Sequence, residues 1–542
     1  MPSSKDQVPI SLPQGMILNP GVLIYDRIKE WLNTCRTDPQ HERVCSLKIS
    51  YRPPNLRLID VERIVVIPAP PEAEYVALSY VWGANQSEGF PQVVLDSIEV
   101  VRALGYRYLW VDKYCIDQND ATNKHEQIRN MHLIYGCADL TIIAAAGTDS
   151  AYGLPGVSRH RLPHDTLHFG NITLFLPLLN ASRLIKQSYW NSRAWTYQEA
   201  LLSRRRLVFT DHHVLWQCNN EVFAEGIHWA SRHRTHKHHH PFDLSASNAV
   251  MSTREGYSLQ FSVGSVFDQI EGYSTKRLSY ESDRLNAYLG ILGDQETRDK
   301  PIYHVWGALV IRQGLAWKLK GLDWYRKSPT TRSPIFPSWS WAAWSADGGI
   351  HFAGKLGDNG SSTPLDVRTT VWPPDIPAWL PRDKTGRDLD DLISIQTFAD
   401  RHDEYRSYST GAHMIRLEVE LGEVSLHSVN GKRYVRIQEP DEELLVPFYL
   451  DDADFSLEQR QPAHAFKVTH ISQWGNDTWV FLVIKMVTDE SYQRIGSFRL
   501  RLGKIRDEEA IDNFGNSIRE ENYCNVSEDW RKGLKKTHIW LS

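Results

Sequence analysis

Residues 75–83 read Tyr75-Val76-Ala77-Leu78-Ser79-Tyr80-Val81-Trp82-Gly83. The apolar part of this stretch, 76–81, has the length and composition of a strand that is buried on both faces. Similar runs recur along the chain and alternate with segments of helical spacing. The strand-like runs are 76–81, 108–111, 140–146 and the run that begins at 206; the helical segments are 92–104, 125–135 and the region around Trp195. This alternation predicts an α/β fold with a parallel sheet covered by helices.

In a parallel sheet, ligands bind beyond the carboxyl ends of the strands. Ser79, Tyr80 and Trp82 end the first predicted strand, and Asp112 directly follows the second. We therefore expect these side chains to line a site at one edge of the sheet. The alternative is a strand end that is merely packed by its aromatic residues.

Trp195 and Glu199 are four residues apart in a segment predicted to be helical. This spacing places an indole and a carboxylate on one helix face. Beside a cleft, such a pair can hold a flat ring and stabilise a cationic sugar. The other interpretation is a half-buried tryptophan next to a solvated glutamate.

Three sequence blocks together resemble the fungal heterokaryon-incompatibility (HET) domain family. The blocks are 75–83, 108–118 and the run Arg193-Ala194-Trp195-Thr196-Tyr197-Gln198-Glu199. The segment Trp31–Cys35 with His41 and Cys45 is similar to the region that often precedes this domain. Three later motifs are similar to the region that follows it: 283–290, 336–342 and 494–496.

The resemblance implies a fold, a reaction and a biological role. HET domains are similar to Toll/interleukin-receptor (TIR) domains, which implies a TIR-like (flavodoxin-like) sheet. It also implies that Glu199 is the catalytic carboxylate of an NAD hydrolase. In that case NAD is the substrate, and neither a metal nor a bound cofactor is needed. The implied substrate-binding residues are Ser79, Tyr80, Trp82, Asp112, Arg193 and Trp195. The implied role is fungal non-self recognition and programmed cell death.

Two other classes of function stay open. The first is a non-enzymatic module that signals by self-association, in which the C-terminal region senses a partner. Such a module needs the shape of Glu199 but not its charge. The second is a biosynthetic enzyme that acts on a nucleotide-linked substrate, for which the sequence offers no discriminating feature.

The domain organisation follows from changes in pattern and composition along the chain. The predicted segments are an N-terminal segment (1–70), the HET domain (71–220), a helical extension (221–345), an irregular connection (346–410) and a β-rich C-terminal domain (411–542). Within the extension, 261–292 and 303–318 have helical spacing. Residues 148–189 interrupt the core, and we interpret them as an insertion that covers the cleft. Asn430-Gly431 is a hairpin turn signal in the β-rich part.

The amino-acid composition indicates which binding partners and which cell compartment to expect. The 542 residues carry a formal net charge of −5, which gives no support for nucleic-acid binding. We see no signal peptide and no run of about 18 apolar residues, so neither secretion nor a membrane span is expected. Six cysteines in so long a chain indicate reduced thiols in the cytoplasm. The ligand that the family resemblance implies is a nucleotide-like small molecule.

Metal ligation is the weaker interpretation of two clusters. Cys35, His41 and Cys45 are zinc-ligand types, but three ligands are one short of a structural site and no fourth lies near in sequence. Packing is therefore preferred for them, and a solvated loop for the His-rich stretch 228–240. No metal is predicted. Arg204, Arg205 and Arg206 could either clamp a pyrophosphate or complement a helix C-terminus.

Overall fold

The chain divides into two units, Met1–Leu259 and Gln260–Ser542, and each is described by itself. The structure is a computed structural model. It describes residues 14–15, 19–46, 53–83, 89–163, 166–170, 172–175, 181–225, 227–228, 263–295, 304–309, 314–319, 330–352, 378–381, 392–394, 413–429, 432–438, 443–451, 461–473, 476–488, 491–502, 510–511, 517–518 and 534–542.

The first unit combines strands with helices. Strands β1 to β12 are Gln14–Gly15, Arg57–Asp60, Val65–Pro68, Tyr75–Ser79, Tyr108–Trp110, Leu140–Ala144, Thr166–Phe169, Ile172–Phe175, Arg205–Phe209, Val214–Cys218, Val222–Ala224 and Ile227–His228. Helices α1 to α8 are Tyr25–Thr37, Pro39–Cys45, Gln92–Ala103, Asp112–Cys115, Ala121–Arg129, Met131–Cys137, Ala181–Gln187 and Ala194–Leu202, and a 3₁₀ turn spans Trp190–Ser192.

Eight of these strands form one sheet in the order β11-β10-β9-β6-β4-β5-β2-β3. The central pairs β4–β5, β4–β6 and β6–β9 are parallel, whereas the outer pairs are antiparallel. Every residue of β4, β6 and β9 is buried, so helices and loops cover both faces. The predicted parallel α/β core is confirmed, with antiparallel additions at both edges that the pattern did not indicate.

The parallel strands reverse their order at β4. Counted along the chain, β4, β5, β6 and β9 are strands 1 to 4, and their spatial order is 2-1-3-4. The chain therefore leaves β4 towards β5 on one side and later returns to β6 on the other. Ligands of doubly wound sheets bind at such a reversal, outside the carboxyl ends of the strands. The TIR-like assignment stays a prediction.

Local sequence explains where the helices of the core begin and break. The Asp120 carboxylate accepts hydrogen bonds from the backbone N–H of Thr122 and Asn123, which starts α5. The predicted helix 125–135 is two helices, because the backbone leaves the helical conformation at Asn130, between α5 and α6. Helix α3 buries Val93, Ile98 and Val101 under the sheet, as its spacing predicts.

The region after β6 is anchored to the core at several points. The Asp96 carboxylate on α3 accepts hydrogen bonds from the backbone N–H of Leu154 and the Ser158 hydroxyl, both at 2.6 Å. Arg161 forms a buried ion pair with Glu225. Parts of the predicted insertion 148–189 lie outside the described residues, and its role as a cover for the cleft stays a prediction.

The second unit contains two helices and many strands in its described part. The helices are α9, Val263–Ser274, and α10, Asp283–Gln295. Strands β13 to β20 are His304–Val305, Ala308–Leu309, Trp317–Leu319, Thr330–Arg332, Trp344–Ala346, Ile350–Phe352, Ala378–Pro381 and Leu392–Ser394. Strands β21 to β29 are Ile415–Val429, Lys432–Gln438, Glu443–Leu450, Gln461–Gln473, Asn476–Met486, Ser491–Leu502, Ala510–Ile511, Ser517–Ile518 and Lys535–Leu541.

The predicted β-rich C-terminal region is confirmed. Its main sheet follows the order β21-β22-β23-β26-β25-β24, and β24 pairs again with β21. The predicted hairpin turn Asn430-Gly431 itself lies outside the described residues, but Val429 pairs with Lys432 on the two flanking strands.

Two predictions for the second unit are wrong in the residues described. Residues 303–318 were expected to be helical, but they hold strands β13, β14 and the start of β15. Trp306 and Gly307, with φ of 48° and 76°, form the two-residue turn between β13 and β14. The predicted irregular connection 346–410 contributes β19 and β20 to the C-terminal sheet.

The motifs that follow the HET blocks meet inside the second unit. The Arg494 guanidinium pairs with Asp451 at 2.7 Å and donates to the Leu315 carbonyl at 2.9 Å. The backbone N–H of Arg494 donates to the Ser338 hydroxyl. Arg284 donates to the carbonyl of Trp344. These motifs therefore hold this unit together. No described helix is long and apolar enough to cross a membrane.

Candidate functional site

The carboxylate of Glu199 lies against the end of the central strand β4. The Ser79 hydroxyl donates to Glu199 Oε2 at 2.5 Å, and Trp190 Nε1 donates to the same Ser79 oxygen at 2.8 Å. Ser79 is the last residue of the strand at which the sheet order reverses, and Glu199 lies on α8, which leads from β6 to β9. Topology thus brings the predicted catalytic carboxylate to the edge where an α/β sheet binds its ligands.

Two residues of this cluster were not predicted from the sequence. Trp190 is fully buried and orients the Ser79 hydroxyl through its indole N–H. Tyr135, at the end of α6, is a second hydrogen-bond partner of Glu199, and its hydroxyl also contacts the Leu78 carbonyl at 3.2 Å. Trp190 stands three residues before the block that runs from Arg193 to Glu199, whereas no local pattern distinguishes Tyr135 from other buried aromatic residues.

A second carboxylate directly follows the neighbouring strand, in the first turn of α4. Asp112, just after β5, accepts a hydrogen bond from Trp82 Nε1 at 2.8 Å and another from the backbone N–H of Lys113 at 2.7 Å. The Trp82 side chain is 36% exposed, so part of its flat indole faces solvent beside this carboxylate. This hydrogen bond joins residues that follow the adjacent strands β4 and β5.

The charge of Asp112 acts on the Glu199 carboxyl group. Burial, and then the negative charge of Asp112, raise the pKa of Glu199 to about 7, although the Ser79 hydrogen bond and the Arg193 charge oppose this shift. Burial likewise raises the pKa of Asp112 to about 6, against the hydrogen bonds from Lys113 and Trp82. Burial therefore favours the protonated form of both carboxyl groups, and the neighbouring charge of Asp112 adds to this effect at Glu199. Perturbed carboxyl pairs of this kind are frequent at functional sites.

Tyr80 and Arg193 complete the polar surroundings. The Tyr80 hydroxyl is buried and has no hydrogen-bond partner among the described residues. Burial and the charges of Asp112 and Glu199 raise its pKa well above the ordinary value. Arg193 Nη1 lies 3.5 Å from the Tyr80 carbonyl, and its positive charge acts on both carboxyl groups. An unpaired donor and a cation next to two acids can orient a polar ligand.

Trp195 is the predicted site residue whose link to the cluster is weakest. It lies on α8 one turn before Glu199, is partly buried, and packs against the apolar core of the unit. Contacts in the described residues thus bring together Ser79, Tyr80, Trp82, Asp112, Arg193 and Glu199, and they leave the aromatic role of Trp195 as a prediction.

The arginine run after α8 has a structural role in the described contacts. Arg206 Nε donates to the Ala200 carbonyl at 2.5 Å, which complements the C-terminus of the helix. Arg205 pairs with Asp139 at 2.6 Å. These contacts support the helix-terminus interpretation over the pyrophosphate clamp.

One further cluster contains the cysteines weighed as metal ligands. Cys35, His41 and Cys45 lie together with Cys218, whose position in the sequence gave no sign of this proximity. Most of the His-rich stretch 228–240 lies outside the described residues.

Comparison with known proteins gives two matches and one absence. Residues 75–199 match the family model "Heterokaryon incompatibility protein (HET)". The chain is also 32% identical over 104 residues to "Heterokaryon incompatibility protein 6, OR allele" of Neurospora crassa. That alignment covers 15% of this chain and spans 15% of the length of the relative. No solved structure matches.

Proposed function

Because residues 75–199 are a heterokaryon-incompatibility (HET) domain, we propose that this chain acts in fungal non-self recognition by hydrolysing NAD in the cytoplasm. One observation carries the proposal. The Ser79 hydroxyl holds the Glu199 carboxylate by a hydrogen bond, and burial together with the charge of Asp112 raises the pKa of that carboxyl group. The similarity to a heterokaryon incompatibility protein of Neurospora crassa supports the incompatibility role. The proposed outcome of activation is cell death.

The proposed reaction breaks the bond between the nicotinamide nitrogen and the ribose. The bonding electrons leave with nicotinamide, and the ribose develops positive charge as in glycoside hydrolysis. An ionised Glu199 stabilises that charge, because a fixed carboxylate in a poorly solvated site acts strongly on a nearby cation. Water then adds to the sugar, and its proton is released to a carboxylate of the site. The products are nicotinamide, ADP-ribose and one proton.

The remaining residues of the cluster have binding roles in this proposal. The partly exposed indole of Trp82 offers a flat surface for an aromatic ring. The Tyr80 hydroxyl and the Arg193 guanidinium provide donors for the polar part of the dinucleotide. Together with burial, the negative charge of Asp112 keeps the pKa of Glu199 high, and Asp112 can accept a hydrogen bond from a ribose hydroxyl.

The direct test is incubation of the purified full chain with NAD. Nicotinamide and ADP-ribose are measured by liquid chromatography, with Glu199→Gln and Glu126→Gln in parallel. Glu126 is exposed on α5, so it is a matched control for the same chemical change. Stoichiometric release of both products by wild type and Glu126→Gln, but not by Glu199→Gln, supports the proposal.

The second candidate is the self-associating module without catalysis. It is favoured by the burial of Glu199, which is 5% exposed and hydrogen-bonded by Ser79 and Tyr135 within the domain. A carboxylate that only stabilises the fold would have the same contacts. If concentrated protein, whether monomeric or associated, releases no nicotinamide, and Glu199→Gln keeps the signalling phenotype, the module is the better description.

A further inference from the structure

Three separate parts of the first unit bring four metal-ligating side chains to one point. Cys35 lies in the last turns of α1, and His41 and Cys45 are four residues apart on one face of α2. Cys218 is the last residue of β10, in the outer part of the sheet. All four are at most 1% exposed.

The ligand atoms of these side chains have the spacing of a tetrahedral site. The three Sγ atoms and one imidazole nitrogen lie within 4.8 Å of one another, and Cys218 Sγ is 3.4 Å from His41 Nδ1. Ligands around tetrahedral zinc, at about 2.3 Å for sulfur and 2.0 Å for nitrogen, are roughly 3.5–3.8 Å apart. Side-chain adjustments of at most about 1 Å bring ligand atoms that are 4.8 Å apart to the spacing around zinc.

The groups around the cluster are those that support metal-bound thiolates and histidine. Backbone N–H groups of Asn220 and Glu221 point at Cys218 Sγ, at 3.4 and 3.2 Å. Arg205 Nε donates to Cys35 Sγ at 3.1 Å. Glu221 Oε2 is 3.3 Å from His41 Nε2, the ring nitrogen that faces away from the cluster. A carboxylate on the outer nitrogen of a histidine is the usual partner of a metal ligand.

We propose that Cys35, His41, Cys45 and Cys218 bind one structural Zn²⁺ ion. Three thiolates and one neutral imidazole form a closed Cys₃His ligand set, which is typical of structural rather than catalytic zinc. Such a complex has one net negative charge, and the guanidinium of Arg205 compensates it. The proposal is independent of NAD hydrolysis, because none of these residues belongs to the Glu199 cluster.

The ion would fasten the N-terminal helix pair to the sheet. Other contacts already join α2 to the sheet. Asn219 Nδ2 donates to the Val44 carbonyl at 2.9 Å, and Arg204 Nη1 donates to the Cys45 carbonyl at 3.2 Å. Because Cys218 is 183 residues from Cys35, the metal would close a long loop of the chain. Closing such a loop restricts the unfolded state and thereby stabilises the folded one.

Metal content of the full chain is the first test. Protein purified without chelator from zinc-supplemented cells is expected to contain about one zinc ion per chain, as measured by inductively coupled plasma mass spectrometry. X-ray absorption at the zinc edge is expected to show three sulfur ligands and one nitrogen ligand. Absence of zinc, iron in its place, or a shell of oxygen and nitrogen alone would overturn the proposal.

Variants assign the ion to these residues. Cys218→Ser and His41→Ala are expected to lose zinc, whereas Cys137→Ser, a buried cysteine outside the cluster, is expected to retain it. Glu221→Gln keeps all four ligands but weakens the outer hydrogen bond, so a roughly tenfold weaker affinity in a chelator competition is expected. Glu221→Gln also tests the site should the ligand variants fail to fold. Full zinc content in folded Cys218→Ser and wild-type affinity in Glu221→Gln would both contradict the assignment.

Discussion

The Ser79 hydroxyl donates a 2.5 Å hydrogen bond to the carboxylate of Glu199, although 120 residues separate the two in sequence. The donor ends the strand at which the sheet order reverses, and the acceptor lies on the helix between β6 and β9. This contact fixes the position of the carboxylate without neutralising it. Trp190 in turn fixes the Ser79 hydroxyl from the other side, so the orientation depends on two side chains.

The first prediction concerns the charge of Glu199. Glu199→Gln preserves size and can still accept the Ser79 hydrogen bond, but it removes the negative charge. If that charge stabilises a cationic transition state, kcat for NAD hydrolysis should fall about 100-fold or more. Glu126→Gln should retain the wild-type rate. A Glu199→Gln protein that hydrolyses NAD as fast as wild type would exclude an electrostatic role for this residue.

The second prediction concerns the pH dependence of the same reaction. The pKa of Glu199 is raised to about 7, so the carboxyl group is neutral below that pH and ionised above it. Activity should therefore rise with pH, with a midpoint near 7. Asp112→Asn removes a negative neighbour that raises this pKa and should move the midpoint to lower pH. Profiles of kcat/KM against pH for both proteins measure the shift, and a midpoint that moves upward would contradict it.

The third prediction follows from the same pKa but is measured on stability. The folded-state pKa of about 7 lies above the ordinary value of 4.5, so the folded protein binds the Glu199 proton more tightly than the unfolded one. Its contribution to stability is complete below pH 4.5 and is lost as the pH rises through 7, by up to ~3 kcal/mol. Glu199→Gln should lack this component. Urea unfolding of both proteins at pH 5 and pH 8 tests the difference; equal pH dependence would contradict it.

Sequence patterns predicted the core well because strand and helix signals are local. The runs at 76–81, 108–111 and 140–146 form parallel strands that differ from the predicted ends by at most two residues. The site residues at strand ends could be predicted because parallel strands end at a common edge. What periodicity could not indicate were the antiparallel edge strands, since their pairing depends on partners far away in sequence.

The site residues that the sequence did not indicate also depend on partners far away in the chain. Cys218 completes the cysteine and histidine cluster from a strand far along the chain, and Tyr135 reaches Glu199 only because α6 packs on α8. The helical interpretation of 303–318 was wrong for a local reason. Apolar spacing in this segment also suits two short strands, and the positive φ of Trp306, a large non-glycine residue, cannot be read from the sequence.

The last prediction concerns the buried ion pair of the second unit. Arg494 and Asp451 are at most 1% exposed in their side chains, and Arg494 also donates to two backbone carbonyls, those of Leu315 and Trp317. Arg494→Met keeps an extended apolar side chain but removes the hydrogen bonds that Arg494 donates to the Asp451 carboxylate and to both carbonyls. We expect a loss of about 3–5 kcal/mol in the free energy of unfolding of this unit.

The matched control for that variant is an ion pair at the surface of the same sheet. Lys536 pairs with Glu418, and the lysine side chain is 72% exposed. Glu418→Gln should therefore lower the free energy of unfolding far less than Arg494→Met does. The double variant Arg494→Met with Asp451→Leu removes both charges and should recover part of the loss, because the buried carboxylate is then removed together with its arginine. Chemical denaturation of the full chain measures the free energy of unfolding of all three variants. Limited proteolysis then assigns the transition to this unit. Equal stability of Arg494→Met and Glu418→Gln would show that the buried pair does not hold the unit together.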